Sequence, residues 1–155
     1  MAEPLKNQFG PDVPAHIADL LLAVDPSFDR DAFVAACLDG FEDLELTARA
    51  RHISDALAEF LPDDRGQAMQ LIIDSLGAEN AEDELTGMEG FRLLPYVFFV
   101  ADHGLDHFET AMEAQYELTK RFTAEFSIRA YLEHHPDATL ARLHEWPGSC
   151  SGEWI

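Results

Sequence analysis

Apolar residues in this chain recur every three to four positions, in stretches that open on capping residues and close on glycine or proline, while strand-like alternation is scarce. That period puts each apolar set on one face of an α-helix, so the pattern predicts helices almost throughout. Asp12 with Pro14 opens the first, with Ile17, Leu20, Leu21 and Val24 on it and an end near Pro26. Asp29 caps a second, which carries Phe33, Cys37 and Leu38 and stops at Gly40. "ELTARARHISDALAEFLP" runs from about 45 to 60, with Leu46, Ile53, Leu57 and Phe60 on its apolar side. "DDRGQAMQLIIDSLG" follows and closes at Gly77. Residues 78–90 are polar, acidic and glycine-punctuated, and read as a loop. Further helices are expected near 91–103, 106–120, 123–134 and 137–146.

These eight helices pair in order, with pairs beginning near 12, 45, 91 and 123. The spacing matches HEAT-like repeats, in which each pair cannot bury its apolar face alone and stacks on the next. Direct self-similarity between the pairs is weak. The expectation is an all-α chain, an α-solenoid of about four HEAT-like antiparallel helix pairs, with a compact helical bundle as the alternative.

A chain of 155 residues suits one domain or a piece of a repeat array, and 47% hydrophobic content suffices for a sizeable core. The net charge of −20 repels polyanions overall, so DNA or an anionic membrane would need a locally positive face. Two cysteines, Cys37 and Cys150, form no disulfide framework, and Cys37 lies in an apolar helical pattern. The N-terminus lacks a basic segment followed by an apolar one, and the longest apolar run, "LLPYVFFVA" at 93–101, is far shorter than a membrane span. A soluble, cytoplasmic protein with no membrane association is expected.

One stretch departs from the acidic background. "ELTKRFTAEFSIRAYL", residues 117–132, gathers Lys120, Arg121 and Arg129 with Phe122, Phe126 and Tyr131 around Glu125. As one uninterrupted helix, Glu117, Arg121, Glu125, Arg129 and Glu133 would form a charge-alternating stripe, each pair worth about 0.2–0.5 kcal/mol. Phe122, Phe126 and Ala130 would then form the neighbouring stripe and face the core. Alternatively, Thr123 caps a new helix and places Glu125 and Arg129 in its early turns. In "HGLDHFE", His103 and His107 are four apart, a metal-ligand spacing to which Asp106 or Glu109 would add oxygen. Gly104 between them, and no third ligand at motif spacing, favour a capped helix junction and no metal. In "ARARHI", Arg49 and Arg51 point to different faces, with Glu45 and Asp55 four residues away as partners; a backbone-phosphate contact remains open. There is no phosphate-cradling glycine loop and no GxSxG, so the residues by themselves establish no enzyme chemistry.

Several segments together resemble a known family. "EPLKN" with Phe9, "ELTARARHISDAL", "GLDHFE" and above all "LTKRFTAEFSIRAYL" are similar, in the same order, to the HEAT-repeat DNA alkylation-repair proteins of the AlkC-like branch. The resemblance covers about residues 3–146. It implies an α-solenoid holding double-stranded DNA on its concave face. It further implies a monofunctional glycosylase, free of metal and cofactor, that excises cationic alkylated purines such as 3-methyladenine. Carried over onto this chain, it makes Glu125 the catalytic carboxylate, flanked by Phe122 and Phe126. Lys120, Arg121 and Arg129 would position phosphates or hold Glu125 ionised, and Trp146 would border the lesion.

Two departures from the family pattern stand out. Ala130 occupies the proline position of "IRPFL", and after Trp146 the family's arginine-rich segment is replaced by "PGSCSGEWI". The chain is therefore expected to comprise a HEAT-like repeat domain over 1–146, apparently truncated, and an atypical tail over 147–155. The competing expectations are a non-enzymatic helical-repeat module that binds DNA or protein, and a metal hydrolase built on His103 and His107.

Overall fold

The computed structural model describes residues 9–76, 90–120 and 124–146. Among these residues there are eight α-helices and no strand: α1 (Asp12–Val24), α2 (Arg30–Leu38), α3 (Leu46–Phe60), α4 (Arg65–Ser75), α5 (Leu94–His103), α6 (Phe108–Thr119), α7 (Glu125–His134) and α8 (Pro136–Glu145). Short 3₁₀ turns at Phe41–Asp43 and Gly90–Leu93 lead into α3 and α5. The expected loop at 78–90 falls outside the described residues apart from Gly90, and the expected tail at 147–155 falls outside them entirely.

The helix starts follow local chemistry. Asp29 accepts a hydrogen bond from the Ala32 amide at 3.2 Å, and Asp64 accepts from Gly66 and Gln67 at 3.0 and 3.3 Å. Both carboxylates satisfy amides that the first turn leaves without helical partners. Gly40, at φ 75°, makes the left-handed turn that ends the α2 region, a conformation costly for any residue with a Cβ.

The helices stack in two layers. α3, α5 and α7 lie side by side in one, and α1, α4 and α6 in the other; α2 packs on α1 and α3, and α8 on α7. This arrangement is the helical-repeat architecture expected from the pairing of segments. α5 is the middle of the stack. Every residue from Leu94 to Ala101 is buried, so the helix is apolar all round because neighbours cover it on every side. Its Tyr96 hydroxyl hydrogen-bonds Ser75 at 2.9 Å, joining α5 to the end of α4. Tyr131 of α7, fully buried, donates to the Val100 carbonyl of α5 at 2.9 Å. Cys37 is a buried free thiol, its pKa pushed up to about 12 by burial.

Arg49 is the one buried arginine among the described residues, and its role is structural. Its guanidinium donates to the carbonyls of Phe9 at 3.0 Å, Leu44 at 2.9 Å and Glu42 at 3.3 Å, and lies 4.5 Å over the Phe41 ring. The carbonyls preceding α3 and the segment before α1 are thereby tied to one side chain.

Candidate nucleic-acid interface

Helix α6 ends at Thr119 and α7 begins at Glu125, so the two halves of "ELTKRFTAEFSIRAYL" sit on different helices. The uninterrupted charge stripe gives way to a new helix, whose N-cap is Ala124 and not the expected Thr123. Thr123, Arg121 and Phe122 lie outside the described residues. Glu125 is the first residue of α7, where the partial positive charge of the helix terminus favours a carboxylate. It pairs with Arg129 one turn on, and both side chains are exposed, at 49% and 65%.

Beside them Phe126 is 44% exposed, one of the few large apolar side chains left open to solvent. It does not turn inward to the core as the helical-stripe reading expected. Its ring lies 5.4 Å from that of Phe98, which is buried in α5. Over Phe98, at 4.3 Å, sits the Arg51 guanidinium of α3, which also donates to Asp102 of α5 at 3.1 Å. Three adjacent helices thus contribute to one face: a carboxylate and arginine from α7, aromatic rings from α5 and α7, and an arginine from α3.

Lys120 and Trp146 share a different neighbour. Lys120, at the end of α6, is 2.8 Å from Glu117 and lies 4.5 Å over the Tyr116 ring. Trp146 is only 7% exposed, with its ring 5.3 Å from the same tyrosine. The tryptophan therefore packs under the end of α6 and closes α8.

Gly104 follows α5 and His107 precedes α6, but the turn between them is closed by backbone hydrogen bonds, from Gly104 to the Val100 carbonyl and from His107 to the Gly104 carbonyl, and the His107 side chain does not cap α6 as expected. No group of three His, Cys, Asp or Glu side chains converges among the described residues. His103 stacks 5.0 Å from Phe99, and burial, then the charge of Arg65, lower its pKa below the ordinary 6.5. The sign follows directly. The unfolded chain takes the proton more readily, so this histidine's contribution to stability is present in full above 6.5 and is lost as pH falls through the folded value. Thermal midpoints of the protein and of His103→Gln, measured from pH 8 to 5, should converge towards acid, with the variant the less pH-dependent. Parallel curves would remove His103 from the acid response.

Phe98 and Asp102 were not among the residues singled out by sequence, whereas Arg51 was, with a backbone-phosphate contact left open. Arg51 has an acid four residues on, Asp55, which suggested a local pair, yet the structure gives it Asp102 across the helix boundary. Phe98 lies within the apolar run at 93–101 and carries no local mark of its place beneath an exposed ring.

The fold and this face define an all-α helical-repeat chain with acidic, basic and aromatic groups assembled on one layer. The sequence matches no protein-family model. The fold is similar to that of the Pseudomonas fluorescens alkylpurine DNA glycosylase AlkC bound to DNA containing an abasic site analog. The TM-score is 0.76 at 30% identity, over 93% of this chain and 38% of that one. The sequence is also 26% identical over 122 residues to the uncharacterized protein YhaZ of Bacillus subtilis (strain 168), which is 78% of this chain and 32% of that protein. The chain thus spans about a third of the length of these relatives. In fold, along nearly its whole length, the chain is similar to part of that DNA-bound alkylpurine glycosylase. No helix among the described residues is long and apolar enough to cross a membrane.

Proposed function

We propose that this chain is the repeat domain of an AlkC-like DNA glycosylase, which binds double-stranded DNA and hydrolyses the N-glycosidic bond of cationic alkylated purines such as 3-methyladenine. The observation that carries this reading is the likeness to a DNA-bound alkylpurine glycosylase along nearly the whole chain. Glu125 stands open at a helix start beside an exposed aromatic ring on the same fold.

The chemistry suits these groups. In an N3-alkylated adenine the base already carries positive charge, so cleavage of the C1′–N9 bond returns the bonding pair to the base and leaves it neutral. No strong acid is needed. The sugar develops oxocarbenium character, which a carboxylate stabilises while orienting the water that adds at C1′. Glu125 is the carboxylate for that task, and the Phe126 face favours a cation. Arg129, Lys120 and Arg121 are assigned to phosphate contacts and Phe122 to the surroundings of the lesion, while Trp146, packed against Tyr116, supports the end of α6 instead of bordering the lesion. No metal or cofactor enters the reaction. The repeat domain at 1–146 with a distinct tail at 147–155, and a cytoplasmic location, belong to the same proposal.

A second reading, a non-enzymatic helical-repeat module that binds DNA or protein, is favoured by the net charge of −20. Incubation with methylated duplex DNA separates the two. Release of 3-methyladenine is the expected result. Salt-dependent DNA binding without release supports the module instead, and no binding at low salt points to a protein partner.

A further inference from the structure

We propose that Arg51 is a further phosphate-gripping residue, on the same face as Arg129 and held ready by Phe98 and Asp102; the inference rests on the DNA-binding reading above. Arg49 and Arg51 stand two residues apart on α3 and do opposite things. Arg49 is spent on backbone carbonyls, whereas Arg51 lies outward with 52% of its side chain exposed. It has company there. Arg129 is 65% exposed, while Arg92, Arg30, Arg142 and Lys120 are 40%, 35%, 27% and 23% exposed. The two most open of these cations thus sit on α3 and α7, the neighbours of α5 in one layer.

Between them, Arg51 stacks on Phe98, whose ring meets that of Phe126 in the first turn of α7, the helix that carries Arg129. Two interhelix steps amount to roughly 16–20 Å, about five or six base-pair steps of B-DNA at 3.4 Å each, so one duplex reaches both. The aromatic stack fixes the plane of the Arg51 guanidinium without using its N–H groups, which favours bidentate contact with phosphate oxygens. Asp102 takes one of those N–H groups, but its side chain is 41% exposed. An exposed ion pair of this kind is worth about 0–1 kcal/mol, so a phosphate displaces it readily. Asp102 thus keeps the arginine in position and competes with DNA for it.

The test is binding of the full chain to a fluorescent duplex containing an abasic-site analogue, followed by anisotropy across a salt series. For Arg51→Gln the slope of log K against log salt should become shallower by about 0.9, the value of one B-DNA phosphate contact. Arg51→Lys should keep the slope, and Asp102→Asn should tighten binding. Arg142→Gln removes the same charge from a side chain that pairs with Glu109 between α8 and α6, and should leave the slope as it is. Circular dichroism melts establish that each variant is folded; should Arg51→Gln unfold, the lysine and Asp102 variants carry the test. Equal slopes for the protein and Arg51→Gln, equal losses for the Arg51 and Arg142 variants, or no gain for Asp102→Asn overturns the role of Arg51 while leaving DNA binding in place. Absence of any binding at low salt overturns both.

Discussion

Arg49→Ala is expected to destabilise the protein by about 3–4 kcal/mol. Three backbone carbonyls, of Phe9, Leu44 and Glu42, take hydrogen bonds from this guanidinium, and the residue is 4% exposed. Truncation leaves buried acceptors without their donor, at about 1–3 kcal/mol each where water cannot reach, and removes the stack on Phe41. Glu42 is the most exposed of the three positions and will be rehydrated, so the losses do not simply add. For a chain of this size each kcal/mol lowers the thermal midpoint by about 2–4 °C, which predicts a fall of roughly 10 °C. Arg49→Lys should recover only part of this, since an ammonium cannot span three separated carbonyls. A midpoint within 2 °C of the parent for Arg49→Ala would contradict the role of this side chain as a tie.

Gly104→Ala should cost about 2–4 kcal/mol, for reasons of space and not of backbone conformation. A Cβ at this position would lie 2.5 Å from the Tyr131 hydroxyl, 2.7 Å from the Met69 sulfur and 2.8 Å from the Val100 carbonyl oxygen. The sulfur ends a flexible chain and can move, but the carbonyl belongs to α5 and the hydroxyl is hydrogen-bonded to it. Overpacking of this kind costs about 1–3 kcal/mol, and losing the buried tyrosine bond adds about 1. Tyr131 anchors α7, the helix that begins with Glu125, so the strain is transmitted to the proposed site. Tyr131→Phe removes the nearest obstacle. In that background the cost of Gly104→Ala should shrink by at least 1 kcal/mol, and a double-mutant cycle of denaturant midpoints measures the coupling. Strict additivity would mean that the two groups do not meet as described.

These two sites mark what a sequence can and cannot disclose about such a chain. Helix limits were legible because capping is local. Asp29 and Asp64 act on amides two or three residues away, and Gly40 turns the chain at its own φ. The packing of α1 on α2, α5 on α6 and α7 on α8 was legible from the spacing of those limits, whereas α3 packs on α2 and α5 and not on α4 as expected. The neighbours within each layer were not, because α3 meets α5 across nearly fifty residues and nothing local marks the contact. The same holds for charges. Glu125 and Arg129, four apart on one helix, were readable as a pair, whereas Arg51 took a partner from another helix. Phe126 faces the core only if the helix runs on uninterrupted; it is exposed in the first turn of the helix that begins at Glu125. Trp146 went the other way and is packed against Tyr116.

The proposed chemistry rests on one carboxylate, and its removal is the most direct measurement of the account. Single-turnover release of 3-methyladenine from methylated duplex should be compared for the protein and for Glu125→Gln, which keeps the size of the side chain and removes its charge. Loss of preorganised electrostatic stabilisation at a reacting centre lowers rates by about 10²–10³-fold. A fall of that order, with binding to abasic-analogue DNA retained, is the predicted result. Equal release by both proteins would contradict it and take Glu125 out of the reaction.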